Sequence, residues 1–367
     1  ARLPEGGPAN LLRNSRLPLG LQAGWFIGRS VCDGVDMHIA PDPATPGPSG
    51  APALKVASVN PKSFFYVEPF AVQNPVVPHI FALACKGTGT WTLTVYADSR
   101  VAISTNLAPQ AAWRRVEAPF DPHLAAQAYM ATVTGQGTLW LDALQVGPAD
   151  KVREGYRSAG QCEVALALPP GRTTPDMSAQ RIQFLEDPPV VRYCVTGNPS
   201  NAVLRTQVVN LYGETNALPR VKLDGATLIS GTLSYDVFPR RPLGALRIEA
   251  WVERDGQRIS PYNELVVNRL RQPKYWMRDA PHSPFGVHME PDTRTILTLK
   301  AAGVNWTRLH DAGMHCLGWF YLEPEKGQWR FRDAEIRRFR QYGVKILGEL
   351  GTAPRWATAL RNIQKPY

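Results

Sequence analysis

Residues 10–147 alternate apolar and polar side chains with the period of two that a half-buried strand imposes. Ile80, Ala82 and Ala84 recur at every second position. Trp91, Leu93 and Val95 do the same, with Thr92, Thr94 and Tyr96 on the opposite face, and Phe70 with Val72 repeats the spacing over a shorter stretch. Turn clusters separate these runs: Pro41-Asp42-Pro43, Pro46-Gly47-Pro48-Ser49-Gly50 and Gly87-Thr88-Gly89. A last strand is predicted from Thr138 to Val146, ending at Gly147-Pro148. Many short strands at such spacing argue for a sandwich or jelly roll.

The alternation continues through 151–270. Glu163 to Leu168 alternates and stops at Pro169-Pro170-Gly171. Val190 to Val195 and Val203 to Val209 follow, and then Leu246 to Val252, with Leu246, Ile248 and Ala250 on one face. Asp255-Gly256 is a hairpin signal. The pattern is that of an immunoglobulin-like sandwich.

Near residue 280 the period changes. Phe285 to His288 reads as a short strand, Asp292 to Ala302 as a helix stopped by Gly303, and Val304 to His310 as a second strand. Asp333 to Tyr342 reads as a helix stopped by Gly343, and Val344 to Leu350 as a third strand. Strand–helix–strand–helix–strand implies parallel βαβ units. The predicted organisation is therefore residues 1–148, 149–272 and 273–367: two all-β sandwiches, a jelly roll and then an immunoglobulin-like one, followed by the start of a (β/α)8 TIM barrel.

Composition narrows the class. Of 367 residues, 44% are hydrophobic, enough to build a sizeable core, and 33 Pro with 30 Gly suit strands and turns. No apolar run approaches the ~20 residues of a membrane span, so no membrane partner is expected. The net charge is +10, but the basic residues are scattered, and clusters such as Arg240-Arg241 and Arg337-Arg338 are short. A solvated surface is expected rather than a nucleic-acid site. The five cysteines, Cys32, Cys85, Cys162, Cys194 and Cys316, include no Cys-x-x-Cys pair, which disfavours zinc and thioredoxin-type chemistry. Cys162 and Cys194 are either bridged or free buried thiols. The chain begins Ala1-Arg2-Leu3 without a signal peptide, which fits a mature form or an excised fragment.

Ser283-Pro284-Phe285-Gly286-Val287-His288, then Gly303-Val304-Asn305-Trp306-Thr307-Arg308, resembles the barrel opening of clan A glycoside hydrolases of the β-xylosidase and α-L-iduronidase type. Trp319 to Phe331, with Glu323-Pro324-Glu325-Lys326-Gly327 at its centre, is similar to the stretch before the second barrel helix. Tyr342 to Gly348 and Pro354-Arg355-Trp356-Ala357 complete a likeness over roughly the last 85 residues. Asn10 to Asn14, Gly24-Trp25, Trp113 to Val116 and Leu141 to Gln145 resemble a carbohydrate-binding jelly roll. Such modules have Phe-Glu after the opening Asn where this chain has Arg16-Leu17.

The resemblance implies a fragment of a retaining O-glycosyl hydrolase acting on poly- or oligosaccharide, in a secreted, periplasmic or extracellular setting, with no cofactor required. Such enzymes use two carboxyl groups about 5–5.5 Å apart, placed in this clan at the ends of the fourth and seventh strands. The chain carries the first three strands, so no catalytic residue is assignable. The glutamates are expected beyond Tyr367, and the chain by itself is expected to be inactive. The alternative is a non-catalytic carbohydrate-binding or scaffold protein with a degenerate barrel.

Arg308, His310 and Asp311 fall at the C-terminal end of the second strand, where barrel sites form. Arg308 matches a clan arginine that hydrogen-bonds the nucleophile, and the other reading is a strand-end salt bridge. Glu349 either lines a sugar pocket or is a buried, paired carboxylate. Trp356 is either a stacking platform for a pyranose or a packed tryptophan. Glu323 and Glu325 read as a structural turn. Asp142 resembles the calcium ligand of such jelly rolls, which makes a structural calcium the candidate metal. Asn305-Trp306-Thr307 matches a glycosylation sequon but lies on an inner strand.

Overall fold

The structure is a computed structural model that describes residues 10–21, 25–28, 36–72, 74–123, 126–169, 181–225, 227–238, 243–351 and 353–358. The chain is a mostly β, multidomain protein with several sandwich sheets and few helices. Residues up to Arg269 form one compact unit, and those from Leu270 onward form a second.

In the first unit the long strand Tyr129–Pro148 organises an antiparallel sandwich. Its first half pairs with Thr90–Ala97 and Phe64–Tyr66, and its second half with Pro52–Ser58 and His79–Gly87. It crosses between sheets at Gly135 and Gly137, where φ is +157° and +112°. A Cβ at Gly137 would stand 2.4 Å from the Thr88 carbonyl oxygen, so only glycine allows this approach. Trp91, Leu93, Val95, Phe65 and Val133 from one sheet meet Leu54, Val56, Phe81, Leu83 and Leu139 from the other.

One expectation gains detail here and another needs correction. The alternation at Ile80, Ala82 and Ala84 lies in the strand His79–Gly87, as expected, and marks its minor face. Phe81, Leu83 and Cys85 point into the main core, while Ile80 and Ala82 pack on Val152 of the short helix Ala149–Arg153. A strand buried on both faces reads as an apolar run, and its period does not say which side is deeper. Pro41-Asp42-Pro43 is not a turn but lies in the strand Met37–Pro46, which among the described residues pairs only with Pro52–Ser58. An edge strand tolerates proline because one row of its backbone groups has no ladder partner to lose.

A second sandwich completes this unit. Cys162–Ala167, Val190–Gly197 and Leu228–Ser234 form one sheet, and a seven-stranded sheet built on Ala202–Asn210, Gly244–Arg254 and Asn263–Leu270 faces it. The Asp255-Gly256 hairpin forms as expected, with φ of +50° and +75° joining Arg254 to Gln257. Leu246, Ile248 and Ala250 are all buried. Cys162 sits opposite Gly197 and Cys194 opposite Ala165, so the two are not bridged to each other, and neither they nor Cys85 form a disulfide.

The two sandwiches meet at a buried polar cluster. Glu163 accepts hydrogen bonds from the Ser15 amide at 3.1 Å and its hydroxyl at 2.6 Å. Arg16 Nε donates to the Tyr156 hydroxyl at 3.2 Å. Arg16, the departure from the Phe-Glu pattern, therefore serves the contact between sandwiches. Burial pushes the Glu163 carboxyl up to about 7.

The second unit has a parallel sheet of Gly286–Val287, Trp306–Leu309 and Lys345–Gly348 in that order. Helix Thr293–Ala301 connects the first two strands, and Asp333–Gln341 precedes the third. Asp292 caps the first helix by accepting from the Thr295 amide at 2.9 Å. Lys300, buried on that helix, donates to the carbonyls of Arg278 and Gly343 at 3.0 and 2.9 Å and to the Asn305 side chain. This tie fixes the lower ends of the second and third strands against the helix.

Candidate functional site

Alternation along the second strand buries Thr307 and Leu309 and leaves Arg308 exposed. Parallel register sets Arg308 opposite Leu347, so the chain leaving the third strand brings Glu349 beside it. Arg308 donates from Nε and Nη2 to one oxygen of Glu349, at 2.9 and 2.6 Å. His310 Nε2 lies 3.5 Å from the other oxygen. Its Nδ1 lies 2.9 Å from Asp311 Oδ1, and His288 Nδ1, just past the first strand, lies 3.2 Å from Asp311 Oδ2. Five charged or titratable side chains thus form one chain of contacts across the C-terminal ends of three parallel strands.

Four of the six expected site residues, Arg308, His310, Asp311 and Glu349, are brought together. His288 joins them and was not anticipated as a site residue. Its only sequence signal was its place at the end of the first strand, equivalent to that of His310 after the second.

Trp356 lies in a neighbouring aromatic cluster. Its Nε1 donates to the Glu323 carbonyl at 3.0 Å, and its ring meets Trp319 edge-on at 5.7 Å. It is 38% exposed, so part of the indole faces solvent. Glu323 takes hydrogen bonds from Trp319 Nε1 and the Gly327 amide at 2.8 and 2.7 Å, the geometry of a turn support. The Asn305 amide nitrogen is spent on Ser283 and the Gly303 carbonyl, at 3.0 and 2.7 Å, and the residue is buried, which closes the sequon to a glycan.

Asp142 stands apart, in the first sandwich. Its two oxygens accept from the Ser49 amide and hydroxyl, both at 2.7 Å, and a Cβ on Gly47 would collide with it. Burial raises its carboxyl above the ordinary range. Ser49 thus ties both carboxylate oxygens to the Gly47–Ser49 loop, which makes Asp142 an anchor for that loop.

A hollow of about 560 Å³, lined by Asp279, Trp306, Arg340 and Lys345 among others, lies at the opposite, N-terminal end of the sheet. It is remote from the charged cluster. Among the described residues no helix is long and apolar enough to cross a membrane.

Sandwich sheets followed by a strand–helix unit define a modular β-rich protein. No family model and no curated protein sequence matches the chain. Among solved structures, the enzymatically active domain of tailspike protein 4 from bacteriophage CBA120 is 10% identical, over 38% of this chain and 21% of its own, with a TM-score of 0.33. The module TmCBM61, solved with β-1,4-galactotriose, is 12% identical over 38% of this chain and 98% of its own, with a TM-score of 0.29. A β-glucuronidase from Bifidobacterium dentium, complexed with coumarin-3-O-glucuronide, is 12% identical over 92% of this chain, with a TM-score of 0.26. The chain spans 61% of that glucuronidase. All three scores are low, and none of these likenesses assigns a function.

Proposed function

We propose that the chain is the front part of a carbohydrate-active protein in which two β-sandwiches precede the opening of a (β/α)8 barrel of a retaining O-glycosyl hydrolase. One observation carries the reading: Arg308, His310, Asp311 and Glu349 converge at the C-terminal ends of parallel strands. Ligands of strand-and-helix sheets bind at that end, because the connecting loops there are free to vary. Arg308 and Glu349 would hydrogen-bond sugar hydroxyls, and the exposed part of Trp356 would stack on a pyranose face. The acid/base and nucleophile belong on later strands under this reading, so residues 1–367 bind sugar without cleaving it.

The rival is a non-catalytic carbohydrate-binding or scaffold protein, favoured by one feature. Arg308, which the enzyme reading assigns to a nucleophile, is committed to Glu349. Calorimetric titration of the purified chain with neutral and uronic-acid oligosaccharides tests the shared claim. At least one sugar should bind, and Arg308→Ala should weaken it by at least tenfold with unchanged circular dichroism. Equal affinity in the variant removes the strand ends from the site. Robust turnover of aryl glycosides by the purified chain would place the catalytic pair within residues 1–367 and overturn the assignment to later strands.

A further inference from the structure

We infer that His288, His310 and Asp311 form a binding site for a first-row divalent transition ion, with Zn²⁺ the best match. This does not rest on the glycosidase reading, since the ion can bind where no sugar does, and the reverse. The ligating atoms of the three side chains lie within 4.8 Å of one another. Tetrahedral zinc sets neighbouring ligand atoms about 3.3 Å apart, given its ~2.0–2.1 Å bonds to nitrogen and oxygen. The Asp311 carboxylate lies between the two imidazoles, its Oδ2 3.2 Å from His288 Nδ1 and its Oδ1 2.9 Å from His310 Nδ1, so a small rotation of the carboxylate and rings brings one oxygen and both nitrogens to such edges. Both imidazoles turn the same ring nitrogen to the same carboxylate, with the rings 5.9 Å apart and inclined at 51°. The Nδ1 atoms that face Asp311 carry, without their protons, the lone pairs an ion uses.

A further shell supports the ligands. His310 turns its remaining nitrogen, Nε2, towards Glu349, and Arg308 grips Glu349 with two hydrogen bonds. A carboxylate behind a ligating histidine fixes its tautomer and raises its basicity. The donor set decides the metal. Two imidazoles and one carboxylate suit zinc and its neighbours, whereas calcium and magnesium favour oxygen alone. The framework is also suitable: two of the ligands follow adjacent parallel strands directly, and Asp311 is the next residue. Three protein ligands leave one position for water or a substrate oxygen. The cluster is solvent-accessible, with Asp311 77% and the histidines 34% and 37% exposed, so an ion can enter.

The test is titration of the chelator-stripped full chain with Zn²⁺ by calorimetry, repeated with Co²⁺ to read coordination geometry from visible absorption. One saturable equivalent with tetrahedral-type Co²⁺ bands is expected. His288→Ala and Asp311→Asn should each weaken Zn²⁺ binding at least tenfold, and Glu349→Gln by roughly ten- to a hundredfold. Asp142→Asn should leave it unchanged. Circular dichroism and melting of each variant separate lost ligation from lost fold. Absence of a saturable equivalent, or parent-like affinity in folded His288→Ala and Asp311→Asn, overturns the site. Parent-like affinity in Glu349→Gln overturns the supporting role of that carboxylate.

Discussion

The sandwich unit and the parallel-sheet unit follow opposite rules of burial. In the sandwiches, two antiparallel sheets close on each other, and every large apolar side chain on their inner faces finds a partner, from Trp91 to Val267. The parallel sheet has strands of two to four residues and leaves Phe285, Leu347 and Leu350 exposed at 68%, 58% and 67%. Parallel sheets are ordinarily covered on both faces. The same unit carries the charged cluster. Stability is thus concentrated in one region and accessible chemistry in the other, which gives the two kinds of residue different mutational consequences.

The largest expected effect lies in the first sandwich. Trp91→Ala, at a fully packed site, should cost about 3–5 kcal/mol through lost burial and a residual cavity. Val287→Ala on the exposed strand should stay within about 0.5 kcal/mol. Urea unfolding of both variants measures the contrast, and equal costs would dissolve the distinction between the units.

Next comes the contact between sandwiches. Glu163 is held protonated up to about pH 7, against 4.5 for the free carboxyl. Its contribution to stability is therefore fully present below about 4.5 and lost as pH rises through about 7, because the unfolded chain ionises first. The loss amounts to roughly 3 kcal/mol. Glu163→Gln should match the parent at pH 4 and exceed it at pH 8. A variant less stable than the parent at pH 8 would mean that the ionised carboxylate, not the neutral acid, serves the contact.

A smaller effect is expected at Asp292. Removing the cap with Asp292→Ala should cost about 1 kcal/mol, seen as faster hydrogen exchange confined to residues 293–301. Exchange that also accelerates in the sandwiches would mean that the two units unfold together. The smallest is at the strand ends. Arg308 and Glu349 are 48% and 34% exposed, so breaking their pair should change stability by less than about 1 kcal/mol. Loss of more than this would make the pair structural and weaken its claim to ligand chemistry.

How much could be read in advance differed between regions. Strands at Trp91–Val95 and Leu246–Val252 were legible because one face is buried and the other wet, so the period carries the answer. The hairpin at Asp255-Gly256 was legible because its dihedrals suit those residue types. The strand at Ile80–Ala84 was legible too, though not which of its faces is deeper, because both are buried, and Pro41-Asp42-Pro43 misled because proline marks edges as well as turns. At the site, Arg308, His310, Asp311 and Glu349 could be nominated from their places at strand ends. His288 was overlooked, because nothing local to it differs from a surface histidine.

Local chemistry alone determined the succession of elements, the switch of period near residue 280, the helix stops at Gly303 and Gly343, and the residues available at each strand end. Tertiary structure decided which of those residues meet. Parallel register placed Glu349 against Arg308, and strand order placed His288 against Asp311. The sheet crossing at Gly135 and Gly137, the burial of Glu163 between the sandwiches and the Lys300 tie were likewise settled at that level. Each depends on groups far apart along the chain, and sequence period reports only on neighbours a few residues away.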